Sequence, residues 1–226
     1  MITMKTTEIL KKSRWFWAFF VLKKLFLAAF LFVPTYIFAD DTAILDQIEK
    51  TNTAVKTLTS PFTQVKTSAS NGAKKHLAGT LYYAAPDKVA QHYTQPATDL
   101  FLINGDKLYM ARNGKKLQFD TSKNAPMRAL RNTLIYCIQG RVRTLAAENE
   151  ADITVATDAK HYIVTLTSKK RVPHGYKKIV LHYAKTDGTL HTMQMDEIKG
   201  NSTLYTMTAY KIGAAVDAKQ FEIPAK

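Results

Sequence analysis

Six histidines and a single cysteine are the side chains of this 226-residue chain best suited to ligating a metal or attacking an electrophile. His76, His92, His161, His174, His182 and His191 show no close paired spacing of the kind a zinc site uses. Cys137 lies in an apolar stretch, "LIYCI", where a thiol packs as a small hydrophobe. A reactive thiolate needs an electropositive, partly exposed setting instead. There is no Gly-x-Ser-x-Gly, no phosphate-binding glycine loop and no paired acidic motif on a helix. His92 and Tyr93, beside Thr94-Gln95-Pro96, read as strand residues rather than an acid–base pair. "NST" at Asn201 fits a glycosylation sequon, a pattern that recurs by chance. The expectation is a binding protein rather than an enzyme, with no cofactor and no metal.

What remains to do chemistry is apolar surface. In segments that alternate at period two, Leu81, Tyr83, Val89, Tyr93, Leu108, Met110, Phe119, Met193 and Met195 fall on one face. In a segment of helical period, Leu130, Leu134, Ile135 and Ile138 lie close together. A half-buried sheet under a helix shows the same stripes simply to fill a closed core, and periodicity alone favours that reading.

The elements that place these residues follow from pattern. Residues 41–58 read as one amphipathic helix, with Ile44, Leu45, Ile48, Val55 and Leu58 near one face and Asp40 and Asp41 at the positive end of its dipole. From Thr59-Ser60-Pro61 the pattern turns to short strands. "DLFLINGDKLYMARNGKKLQF" carries two Asn-Gly reversals, and a later block turns at Asp187-Gly188. Between the blocks, "NAPMRALRNTLIYCIQ" opens with Asn124 as a cap and Pro126 in the first turn, and Gly140 suits its end. A short helical turn around Leu145 to Glu148 follows. The expected fold is mainly β with α: about eleven strands in an antiparallel meander and three helical pieces, in one domain.

The first residues differ. Lys23-Lys24 precede a nearly uncharged run from Leu25 to Phe38, and Ala39 stands before Asp40-Asp41. This is the layout of a secretory signal peptide over 1–39. The rival, an uncleaved anchor that includes the apolar patch Trp15 to Leu22, would place two lysines near the bilayer centre. Cleavage after Ala39 would leave 26 basic and 17 acidic side chains in residues 40–226. So basic a chain would first suggest nucleic acid, but an exported protein seldom meets it; an anionic membrane or acidic partner fits better, and a merely solvated face fits as well.

The order of these features resembles the periplasmic outer-membrane lipoprotein carrier (LolA) family. "SPFTQVK" is similar to its opening strand, "AGTLYYAAPDKVAQHYTQP" to its two proline-ended strands, and "LINGDKLYM" to its turn and aromatic strand. "DGTLHTMQMDEIKGNSTLYTMTAY" resembles the late hairpin and "AAVDAKQFEIP" the closing Phe-x-x-Pro segment. The resemblance implies a half-open antiparallel β-barrel with helices covering its concave face. It also implies a cavity, lined by the thirteen residues above, that takes acyl chains of lipoproteins. The implied partners are acylated lipoproteins, an inner-membrane lipoprotein-releasing transporter and an outer-membrane receptor, for a monomer in a Gram-negative periplasm. A same-fold carrier or sensor for another lipid is the alternative. Exposing two or three long acyl chains to water costs on the order of 20–35 kcal/mol at ~0.8 kcal/mol per methylene, so such cargo needs a carrier. Many members have an arginine that latches the lid where this chain has Ala85; Lys88 and Arg128 are the candidate replacements. Some members extend beyond the Phe-x-x-Pro segment, whereas this chain stops at Lys226. No cysteine follows the leader directly, as it would in a lipid-anchored receptor of this fold, which favours a soluble shuttle.

Overall fold

A computed structural model describes residues 41–170 and 175–224. The leader expected over 1–39, with Asp40, His174 and Lys226, lies outside the described residues.

Helix α1 (Asp41–Thr53) buries Ile44, Leu45, Ile48 and Asn52 at spacings of three and four. It ends five residues sooner than its periodicity predicts. Thr51-Asn52-Thr53 favours termination, because short polar side chains compete for backbone groups. Thr53 Oγ1 donates to Glu49 O at 2.6 Å, and Asn52 Nδ2 donates to Ile48 O at 2.8 Å. Leu58 follows Val55 at a helical interval, yet it belongs to strand β1 (Thr57–Thr67), where Leu58, Ser60, Phe62 and Gln64 alternate inward.

Five strands follow: β2 (Lys74–Ala84), β3 (Lys88–Gln95), β4 (Leu100–Asn104), β5 (Lys107–Arg112) and β6 (Lys115–Asp120). Helices α2 (Ala125–Ile138) and α3 (Val142–Asn149) come next. Then run β7 (Ala151–Thr157), β8 (His161–Ser168), β9 (Tyr176–Ala184), β10 (Leu190–Glu197), β11 (Ser202–Met207) and the two-residue β12 (Lys211–Ile212). The sheet runs β6-β5-β4-β3-β2-β1-β11-β10-β9-β8-β7, antiparallel throughout, with β12 against β1. It is therefore two meanders joined by β1 and β11 rather than one. Its outermost strands, β6 and β7, do not pair, so the sheet stays open.

Pro61 sits in the middle of a central strand, a position proline usually avoids. The register explains it. Pairing with β11 begins only at Phe62↔Met207, and β12 takes over at Leu58 and Thr59. Between them Ser60 Oγ donates to Thr208 O at 2.7 Å and accepts from Thr208 N at 3.1 Å, so a side chain stands in for the ladder.

The main core lies between the inner face of the sheet and the three helices. α2 begins as expected: Asn124 Oδ1 accepts from Met127 N at 3.1 Å, with Pro126 in the first turn. Its end is set by Gly140 (φ +66), where an added Cβ would lie 2.7 Å from Ile48 O of α1. Only glycine lets the two helices approach so closely. A smaller outer cluster joins Ala90, Leu102 and Tyr109 to Phe221 of a closing 3₁₀ turn, Ala218–Phe221.

Candidate functional site

The seam between the helices and the inner sheet contains an apolar crevice. α2 contributes Leu134 and Ile138, Val55 closes the end of α1, and the sheet supplies Leu58, Phe62, Leu81, Val89, Leu190, Met193, Tyr205 and Met207. Its few polar members are Asn52, Gln91, Thr189 and Tyr210. Its open volume is only about 20 Å³, roughly the space of one water molecule. An acyl chain therefore enters only if the helices lift from the sheet.

Five of the thirteen residues singled out from sequence line this crevice: Leu81, Val89, Leu134, Ile138 and Met193. Tyr83, Tyr93, Leu108, Ile135 and Met195 are buried in the surrounding core without reaching it, and Met110, Phe119 and Leu130 are half-buried against that core. Sequence reasoning missed Phe62, Leu190, Tyr205, Met207 and Tyr210. Tyr205 and Met207 carry a readable signal, since they alternate as Met193 and Met195 do. What made them lining residues is the β1–β11 pairing, which no local pattern announces.

Few polar contacts hold the helices down. Gln139 Nε2 donates to the Tyr83 hydroxyl at 2.9 Å and to Pro86 O at 2.7 Å. Tyr183 donates to Cys137 O at 2.7 Å. Arg131 Nε donates to Gly105 O at 2.7 Å, and Asp87 lies 3.6 Å from its Nη2. Asn52 Nδ2 donates to Gly188 O at 2.8 Å, tying α1 to the β9–β10 turn. Of the two residues expected to replace the family arginine, Arg128 donates to nearby Ser122 O, and Lys88 stands in β3 between Ala84 of β2 and Asn104 of β4.

At one end of the crevice the inner face turns polar. The single Tyr93 hydroxyl hydrogen is shared between Gln64 Oε1 at 3.0 Å and Gln91 Oε1 at 3.1 Å, with the Phe62 ring edge-on to Tyr93 at 5.2 Å. Burial raises the Tyr93 phenol far above its ordinary range, with Tyr205 adding to the effect, so it remains a donor. Two residues farther along β1 stands Lys66, in a hollow of about 450 Å³ that Lys75 and Arg112 also line.

Burial also pushes the Cys137 thiol well up, which suits packing rather than attack. One group departs from the histidine expectation. The β8–β9 pairing brings Asp158, His161 and His182 together, their ligating atoms within 4.8 Å of one another. They lie on the outer face, and Asp158 Oδ1 already accepts from the backbone of Lys160 and His161.

With this geometry in hand, residues 53–224 match the family described as "Outer membrane lipoprotein carrier protein LolA". The chain belongs to the LolA family. This LolA-family chain has no significant match among curated protein sequences. Among solved structures it resembles MucB at 14% identity over 83% of this chain and 64% of that one, with a TM-score of 0.51. A putative outer membrane lipoprotein-sorting protein domain from Vibrio parahaemolyticus aligns at 13% identity, over 79% and 94%, with a TM-score of 0.43. The Mycobacterium tuberculosis lipoprotein LppX aligns at 12% identity, over 79% and 99%, with a TM-score of 0.44. At such identities the likeness is one of fold. No helix of the described residues is long and apolar enough to cross a membrane.

Proposed function

We propose that this protein is a periplasmic carrier, exported by a cleaved leader over 1–39, that moves acylated lipoproteins from the inner to the outer membrane. Acyl chains enter between α2 and the inner sheet. They meet first the residues around the closed crevice, then, as the helices lift, the rest of the thirteen sequence-selected positions. The observation that carries this reading is the crevice itself: a continuous apolar seam between two layers, held by a handful of hydrogen bonds and by no covalent link. Separating the layers exposes the apolar side chains of the seam, a cost that entering acyl chains offset by covering the same area. An apolar lining also binds chains by area rather than by strong polar anchors, so cargo is released when an acceptor offers equal burial. Family membership supports a carrier of lipoprotein or lipid.

Native mass spectrometry of protein taken gently from the envelope tests this. The expected spectrum contains a species heavier by an acylated polypeptide. Protein that is invariably cargo-free, and that takes up no diacylated peptide when challenged, would refute it.

A further inference from the structure

Three imidazoles gather where β8, β9 and β10 run side by side. The ring of His161 on β8 lies 5.6 Å from that of His182 on β9 and 5.4 Å from that of His191 on β10. The register brings the first two together. His161 stands opposite Ala184 and Ile163 opposite His182, so the two histidines are diagonal neighbours on one face. The small side chain of Ala184 leaves the space beside His161 to the larger rings.

Asp158, in the turn between β7 and β8, joins this group. Its Oδ1 accepts from the backbone N–H of Lys160 at 2.7 Å and of His161 at 2.6 Å, which fixes the carboxylate. Its Oδ2 then lies 3.2 Å from His161 Nδ1. The backbone bonds from Lys160 and His161 hold the carboxyl down to about 2, so it is charged at neutral pH. Tetrahedral coordination with bonds of about 2.0–2.1 Å sets ligand atoms about 3.3–3.4 Å apart. Oδ2 and Nδ1 already span one such edge. The ligating atoms of Asp158, His161 and His182 all lie within 4.8 Å of one another, so a small rotation of His182 completes a face.

A turn carboxylate bonded to the nearby backbone is ordinary capping, and it accounts for Asp158 and His161. It does not account for His182. That ring is half-buried, yet neither of its nitrogens has a hydrogen-bond partner among the described residues. Burial lowers its pKa, and the charge of His161 adds to this against the opposing pull of Asp158, so its lone pair is free at neutral pH. Lys185 Nζ donates to the Asp158 main-chain oxygen at 2.6 Å and makes no ion pair with the carboxylate.

We propose that Asp158 Oδ2, His161 Nδ1 and a ring nitrogen of His182 form a site for a divalent ion of the zinc class, with water as fourth ligand. Two imidazoles and one carboxylate suit a borderline cation, whereas magnesium and calcium prefer an all-oxygen shell. The ion takes the place of the hydrogen between Asp158 and His161. That proton moves to His161 Nε2, or leaves to solvent if the ring was an imidazolium. A bound ion ties the β7–β8 turn to β9, beside the outermost strand of the open sheet. His191 is a neighbour and not a ligand, since its ring stacks on Tyr210. The site lies on the outer face, away from the crevice, and is independent of the carrier reading.

Titration calorimetry of the untagged protein with zinc chloride at neutral pH, against magnesium chloride, tests this. One zinc ion should bind per chain with micromolar or tighter affinity, and magnesium should give no binding heat. At about a hundredfold excess over Kd, zinc should raise the unfolding midpoint by about 5–10 °C. Loss of an outer-shell partner alone costs a metal site about 10–100-fold in affinity, so His182→Gln and His161→Gln should each weaken zinc binding by at least about tenfold. Both side chains are half-exposed, and circular dichroism should show the sheet retained. His191→Gln should leave the affinity within about threefold of wild type, because only the three ligands hold the ion. No zinc uptake, magnesium binding as tight as zinc, or zinc affinity unchanged in both ligand variants would overturn the site. A loss in His191→Gln as large as in His182→Gln would overturn the ligand assignment.

Discussion

Removing the amide of Gln139 should loosen the seam and, against first intuition, improve cargo binding. Gln139 is 8% exposed, and its Nε2 reaches Tyr83 on β2 and the Pro86 carbonyl in the β2–β3 turn. Each such bond contributes about 0.5–1.5 kcal/mol net, so Gln139→Leu costs the closed arrangement about 1–3 kcal/mol. Both freed partners can find water once the helices lift, so the loss falls on the closed form. The closed-to-open equilibrium then shifts about 5- to 150-fold. Because a crevice of about 20 Å³ admits no chain, only the open form binds, and apparent affinity scales with its population. Fluorescent fatty-acid titration should show tighter binding by a factor in that range, alongside a lower unfolding midpoint. A variant that melts earlier but binds with wild-type affinity would refute the reasoning, because it would separate these bonds from opening.

Leu134→Glu puts a carboxylate where α2 faces the crevice, at a residue 3% exposed; chain binding should weaken at least about tenfold with the β-sheet circular dichroism retained, since an unpaired buried charge costs several kcal/mol. Wild-type loading would show that α2 does not cover the cargo. Lys66→Met should raise the unfolding midpoint at pH 7. The folded pKa is about 8 against 10.5, so the unfolded chain holds more protons between those values and wild-type stability climbs with pH through that window. The penalty is fully present below 8, amounts to at most about 3 kcal/mol, and should vanish in the variant, leaving a flatter profile from pH 7 to 10. A parallel rise in both proteins would locate the effect elsewhere.

The legible parts of this fold were those set by neighbours in sequence. Asn124 and Pro126 start α2 because a cap and a fixed φ act within one turn. Asn113-Gly114 reverses β5 into β6 with both residues at positive φ, as a two-residue hairpin needs. Asp187-Gly188 was read correctly as a turn, but its loop is longer, because Asp187 Oδ1 accepts from both the backbone and hydroxyl of Thr189. The end of α1 was misjudged because Val55 and Leu58 happen to sit at a helical interval while the backbone is already extending. The candidate site was legible by face and not by membership. Alternation put Leu81, Val89 and Met193 on the inner side, but Phe62, Tyr205 and Met207 joined them only through a pairing between distant strands. The seam's hold was invisible too, since Gln139 meets Tyr83 from 56 residues away.

The β1–β11 junction has a consequence for assembly. Phe62 meets Met207 across 144 residues of intervening chain, and closing so long a loop yields contacts only after its entropy has been met. The first meander can zip up from its own hairpins as soon as it is synthesised, but its greasy side then waits bare until the last long strand arrives. A polypeptide that leaves the ribosome amino-terminus first passes through that half-built stage on every molecule. The surface destined to shelter a lipid is thus the one most in need of shelter during biogenesis, and holdase chaperones should recognise the nascent half far better than the finished protein.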